Sequence, residues 1–234
     1  MALQCNNPSN AKEMACAWSA LAKSFVNDGG FICLNNSSYT RGDCLISSVR
    51  CNSGDSKTWL ALGCLPQESY KQFYWSRIDC LHEALKHGGE DECWQVYYRI
   101  AKHMIDHPED SRTLEHRGET IGIMSCLEKA ALHQKCDLPD AHYLYAVNTD
   151  RWLSAVHHLI KALKKLRGWE DLTLAGRCWL HLGDLLGMDT HLSEDCHKKL
   201  IKELHIVLGM RIRDGFDISS FCTEGVNRIP SRSV

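Results

Sequence analysis

Two short patterns alternate along this chain, and together they constrain its fold more than anything else in the sequence. The first is Cys-Leu with a small residue four places after the cysteine and an apolar one at the fifth. It occurs as Cys44, Leu45, Ser48, Val49, then as Cys80, Leu81, Ala84, Leu85, and again as Cys126, Leu127, Ala130, Ala131. A fainter copy keeps Cys196, Leu200 and Ile201 but has His197 in place of leucine, and Asp43, Asp79 and Asp195 stand directly before three of these cysteines. The second pattern is a bulky ring followed at three and four places by a large and then a small residue: Trp18, Leu21, Ala22; Trp59, Leu62, Gly63; Trp179, Leu182, Gly183. Trp94, Tyr97, Tyr98 lacks the small residue, and His142, Tyr145, Ala146 replaces the tryptophan.

Each pattern reads as a helix, because residues at i, i+3, i+4 and i+7 share one face, as Trp18, Leu21, Ala22 and Phe25 do. A small residue on that face admits a close neighbour, and a ring fills the gap between successive pairs. One helix pair cannot bury its apolar face alone, so repeated copies imply stacking.

The run Asp43-Cys44-Leu45 with Ser48-Val49, followed by Trp59, Leu62 and Gly63, resembles the tetratricopeptide repeat (TPR). The resemblance implies an all-α, TPR-like α-solenoid of about five degenerate helical hairpins over residues 14–209, preceded by an N-terminal segment, 1–13, and followed by a C-terminal tail, 210–234. The ring positions are 41, 35, 48 and 37 residues apart. The family period is about 34, so the excess is inserted between helices. Residues 29–40 carry β-compatible residues around Asn35-Asn36, and 112–122 do so around Arg117-Gly118; both are expected to form short β-hairpins or polar loops. Ser154 is expected to cap a helix over 154–166 ending near Gly168, and Ser193 one over 193–208 ending at Gly209.

Composition narrows the function classes. The chain has 234 residues, is 44% hydrophobic and carries a net charge of −2, which offers no overall positive field for nucleic acid or an acidic membrane. No apolar run approaches the length of a membrane span, and residues 1–18 lack the order of a secretory signal, so a cytoplasmic protein is expected. Thirteen scattered cysteines with no C-x-x-C point to reduced, structural thiols rather than zinc or a disulfide framework.

Catalytic constellations are absent from the sequence. His103 and His107 have a chelating spacing on a helix, but Pro108 ends it and no third ligand is evident. His157 and His158 fall on adjacent helical faces and are expected to be partly exposed beside Lys161, Lys164, Lys165 and Arg167, a solvated basic face. The run from His82 to His87 misses H-E-x-x-H by one position, phosphate-cradling glycine loops do not occur, and in Asp195, Cys196, His197 adjacent side chains diverge. No cofactor or metal is expected.

The TPR resemblance further implies a concave face lined by the first helix of each unit. That places Lys23 and Asn27; Lys57, Cys64 and Glu68; Gln95, Arg99, Lys102 and His103; Asp140, Tyr143 and Asp150; and Arg177 and Asp184 in the groove. Ser19 with Lys23, Leu60 with Cys64 and Gln95 with Arg99 do not reproduce the Lys and Asn pattern of chaperone-tail clamps. The expected role is a non-catalytic protein-interaction scaffold or adaptor, a subunit of a larger complex that binds a protein or peptide partner, acidic in character, in the groove or through projecting loops. The competing classes are a thiol- or metal-dependent enzyme drawing on Cys196, His197, His103 and His107, and an RNA-binding helical repeat.

Overall fold

The computed structural model describes residues 8–27, 30–34, 36–66, 75–109, 114–166 and 172–188. The helix expected over 193–208, Cys196 and His197, Glu68, Arg167, Gly168 and the segment 210–234 lie outside them. The chain divides into two compact units, Met1–His133 and Gln134–Val234.

In the first unit the described elements run α1 (Pro8–Lys23), β1 (Phe31–Leu34), β2 (Ser37–Thr40), α2 (Arg41–Cys51), α3 (Ser56–Gly63), α4 (Arg77–His87), α5 (Glu90–Asp106), β3 (Leu114–His116), β4 (Glu119–Ile121) and α6 (Ile123–Ala131). Helix α1 starts at Pro8, inside the segment read as a separate N-terminal stretch. Proline's locked φ suits a first helical position, where its missing N–H costs no bond. Consecutive helices form three pairs, α1 with α2, α3 with α4, and α5 with α6; α2 also packs on α3, and α4 on α5.

The cysteine pattern is the inner face of the second helix in each pair. Cys44, Cys80 and Cys126 are fully buried, and so are Ser48, Ala84 and Ala130 at the small positions. Ser48 shows what smallness permits: its hydroxyl donates to the Ala15 carbonyl of α1 at 2.9 Å. Gly63 shows it from the other side, since a Cβ there would lie 2.7 Å from Leu81 Cδ2 and 2.8 Å from its Cγ. The aspartates before Cys44 and Cys80 have a separate task. Asp43 and Asp79 are the third residues of α2 and α4, and each closes a capping box with Thr40 or Ser76. The Asp43 carboxylate accepts from the Thr40 backbone N–H at 2.9 Å, and the Asp79 carboxylate accepts from that of Ser76 at 2.9 Å.

Both expected hairpins are present, each inserted between the two helices of a pair. In the first, Phe31 faces Thr40 and Leu34 faces Ser37, with Asn36 at φ 62°. In the second, Leu114 faces Ile121 and His116 faces Glu119, with Arg117 at φ 54° and Gly118 at φ 80°. Positive φ at both central residues gives the turn a twist that matches the strands it joins. The Tyr39 ring lies 5.3 Å from that of Trp18, setting the first hairpin against α1. Leu114 and Ile121 bury the base of the second, and His82 Nε2–H donates to the Glu115 carbonyl at 2.9 Å.

The second unit contains α7 (Pro139–Asn148), α8 (Trp152–Lys165) and α9 (Leu172–Met188). Helix α8 packs on both neighbours, and its core includes Val156, Leu159, Leu163, Cys178 and Leu182. It begins at Trp152 rather than behind Ser154, which sits inside the first turn. The Trp152 indole N–H donates to the Leu185 carbonyl at 2.8 Å, so this ring is held by α9 from the helix's first position. At Gly183 no described atom would come within 4 Å of an added Cβ, so the close approach seen at Gly63 is not repeated there among the described residues.

The tight seam makes Gly63→Ala destabilising. Leu81 is fully buried and must be displaced, so a loss of about 1–3 kcal/mol is expected in equilibrium denaturant unfolding. Ser76→Ala, which removes a cap without touching the core, should cost about 0.5–2 kcal/mol in the same measurement.

Candidate functional site

The residues assigned to a groove do not share one environment. Lys57 and Glu92 form an ion pair across α3 and α5 at 2.9 Å, with both side chains largely exposed. Gln95 and Arg99 continue the exposed stripe of α5, Lys102 is half-buried, and the Arg99 guanidinium carbon lies 5.5 Å from the Tyr98 ring centroid. Lys57, Gln95 and Arg99 are exposed on the first unit. Lys23 and Asn27 are exposed at the end of α1 and just beyond it. His103, by contrast, is buried, with its ring 4.8 Å from that of His107. In the second unit Tyr143 is packed inside against His181 at 5.7 Å, while Arg177 is exposed.

A more developed site lies beneath the second hairpin. A cavity of about 350 Å³ is lined by Cys93, Trp94 and Tyr97 of α5, His116, Arg117 and Glu119 of the hairpin, Lys129 of α6, and His133 beyond it. The Trp94 and His133 rings stack at 6.1 Å, nearly parallel at 14°. The Tyr97 hydroxyl lies 2.8 Å from His116 Nδ1. Lys129 Nζ donates to Glu119 Oε2 at 3.0 Å and lies 5.2 Å from the Tyr97 ring centroid. Burial, with Arg117 and Lys129 close by, lowers the His116 pKa; burial raises that of Tyr97. At neutral pH the site therefore holds a neutral imidazole and an intact phenol beside a fixed ammonium.

A second, more open depression of about 570 Å³, lined by Trp59, Trp75, Asp79, His82, Glu83 and Lys86, has most of its polar groups already engaged. Asp79 closes its capping box, His82 holds the second hairpin, and Lys86 pairs with Glu83.

Sequence reading missed the cavity because its walls come from three elements between positions 93 and 133. The one available signal was the Arg117-Gly118 turn, which folds His116 and Glu119 back over α5 and α6. Among the described residues no group of three or more His, Cys, Asp or Glu is placed to hold a metal ion. The described cysteines are free thiols. Burial pushes the thiol of Cys44 up to about 11 and those of Cys80, Cys126 and Cys178 up to about 12, so they stay protonated and weakly nucleophilic.

His158 corrects the expectation of a partly exposed pair on α8. His157 is exposed, but His158 is buried, with its Nδ1 3.0 Å from Nδ1 of the equally buried His142 on α7. The reason is that α8 is covered on two sides, so a position flanking its apolar stripe is enclosed as well. A bond between two Nδ1 atoms needs one imidazole to donate and the other to accept, which two neutral rings of opposite tautomer satisfy. Burial, followed by Lys161 and Lys165 for His142 and by His142 and Lys161 for His158, drives both pKa values well below the ordinary 6.5. Lys165 is anchored nearby, donating to the Cys136 carbonyl at 2.8 Å.

Comparison with family models, with curated proteins and with solved structures gives no match.

The histidine pair predicts an acid-sensitive second unit. The unfolded chain takes up protons below about pH 6.5 that the folded pair refuses, so the pair's contribution to stability is intact above 6.5 and is lost as pH falls through about 4 for His142 and about 3 for His158. Thermal unfolding across that interval should show the loss, and a His142→Leu/His158→Leu double variant should flatten the profile.

Proposed function

We propose that this chain is a TPR-like helical-repeat scaffold that binds another protein as a non-catalytic subunit of a larger complex, with a cytoplasmic location and an acidic partner segment. The observation that carries the reading is the placement of the two hairpins. Each is inserted between the helices of a pair, α1 with α2 and α5 with α6, so that a projecting loop stands on a packed base. Recognition elements are commonly arranged in this way, because the rigid helices hold the loop while the loop supplies the contacts. The exposed stripe of Lys57, Gln95 and Arg99 adds a polar surface on the same unit.

Two further findings support the scaffold over a thiol enzyme. The repeat cysteines are enclosed and protonated, as the seam between helices requires. The buried imidazoles of the second unit bond each other through their Nδ1 atoms. No described helix is long and apolar enough to cross a membrane.

The test is purification of the full chain from its native cells under gentle conditions, followed by size-exclusion chromatography and mass spectrometry. A stoichiometric protein partner should co-elute with the chain. Elution as a lone monomer, together with one thiol reacting with iodoacetamide far faster than the rest, would replace the scaffold with the enzyme.

A further inference from the structure

The cavity beneath the second hairpin is bounded largely by hydrogen-bond donors, and that chemistry narrows what it can take. Lys129 Nζ donates to Glu119 Oε2 at 3.0 Å and lies 5.2 Å from the Tyr97 ring centroid. The Tyr97 hydroxyl hydrogen-bonds His116 Nδ1 at 2.8 Å, which ties the hairpin to α5. That bond fixes the phenol and the imidazole beside the ammonium. Arg117, on the hairpin turn, adds a guanidinium to the lining.

Among the lining side chains Glu119 is the only acid. It sits at the rim, with its side chain 70% exposed, and accepts from Lys129 at 3.0 Å. An exposed ion pair of this kind contributes little to stability, because water screens it and both side chains lose freedom to form it. The ammonium also lies 5.2 Å from the Tyr97 ring centroid, whereas the carboxylate is attached through an exposed side chain. The site therefore already accommodates a carboxylate that an incoming one can replace at small cost.

We infer that the cavity formed by α5, α6 and the β3–β4 hairpin recognises a carboxylate side chain of a partner's acidic segment through Lys129 and Arg117, and that Glu119 holds that place until the partner arrives. This rests on the scaffold reading and names the chemistry of its partner. Charge complementarity favours the carboxylate, and the cavity's 350 Å³ suits a side chain with its immediate neighbours. The Trp94 and His133 rings offer an apolar wall to the residue beside the acid. Charge-assisted bonds from Lys and Arg supply the discrimination against a neutral amide.

The experiment uses the full chain and two capped tripeptides, acetyl-Phe-Glu-Phe-amide and its glutamine counterpart, titrated by NMR with the tryptophan indole signals as the readout. The glutamate peptide should bind at least ten-fold tighter than the glutamine one. Glu119→Gln should tighten glutamate-peptide binding at least three-fold, Lys129→Met should weaken it at least ten-fold, and Lys129→Arg should retain most of it. Glu119→Gln and Lys129→Met break the same ion pair, so a merely structural role would move both in one direction; opposite shifts are what recognition requires. Circular dichroism melts confirm that each variant is folded. Equal affinity for the two peptides, or a Glu119→Gln variant that binds no better than the parent, would overturn the inference. Inorganic phosphate displacing the peptide more effectively than acetate does would reassign the site to a phosphate group and overturn it equally. Should the peptides fail while a partner still co-purifies, only the carboxylate pocket falls; peptide binding without any co-purifying protein would remove the scaffold reading instead.

Discussion

The contact on which the rest of the first unit depends is the seam between two helices of a pair, where a side chain has been reduced so that a neighbour can come close. Gly63 admits Leu81, and Ser48 is small enough to bring its hydroxyl to the backbone of α1. Close approach makes dense packing possible, and dense packing makes each lost or added methyl group consequential. The large rings complement it from the first helix of the pair. Trp59 and Trp94 are buried, and Trp59 meets Trp75 edge to face at 5.2 Å. Each pair still leaves apolar surface to cover, and the next helix in the chain covers it, which is why α2 meets α3 and α4 meets α5.

That base has a functional consequence. Hairpins as short as these, each two strands of three or four residues, would not hold a shape alone in water. The second is fixed by two buried side chains at its base, Leu114 and Ile121, and by the His82 bond to its backbone. Its tip is then free to carry chemistry rather than stability. His116, Arg117 and Glu119 sit on that tip, opposite Tyr97 and Lys129. The second unit differs, for there α8 packs on both of its neighbours and two buried imidazoles bond each other through their Nδ1 atoms.

What could be read from residues alone follows from how local the cause is. The two hairpins were legible because each turn holds a residue that tolerates positive φ, Asn36 in the first and Gly118 in the second, a property of single positions. The helices were legible from periodicity. The capping boxes were present in the sequence as Thr40 with Asp43 and Ser76 with Asp79, yet their aspartates were grouped with the cysteines they precede; one motif served two purposes, ending a loop and starting a buried face. His158 was misplaced because a single helix's pattern shows one apolar stripe, whereas α8 has neighbours on two sides. His103 and Tyr143 were assigned to a groove by offset from a repeat, and the local packing encloses both. The cavity was not legible, since it exists only after the hairpin has folded back so that His116 meets Tyr97 of α5 and Glu119 meets Lys129 of α6.

The most direct test of the seam as the organising contact is native-state amide hydrogen exchange followed by mass spectrometry. If the buried second-helix faces hold the first unit together, the backbone amides of Cys44–Val49, Cys80–Leu85 and Cys126–Ala131 should be its slowest to exchange, opening only with the unit as a whole. Exchange in those three segments as fast as in Phe31–Leu34 of the first hairpin would contradict the account.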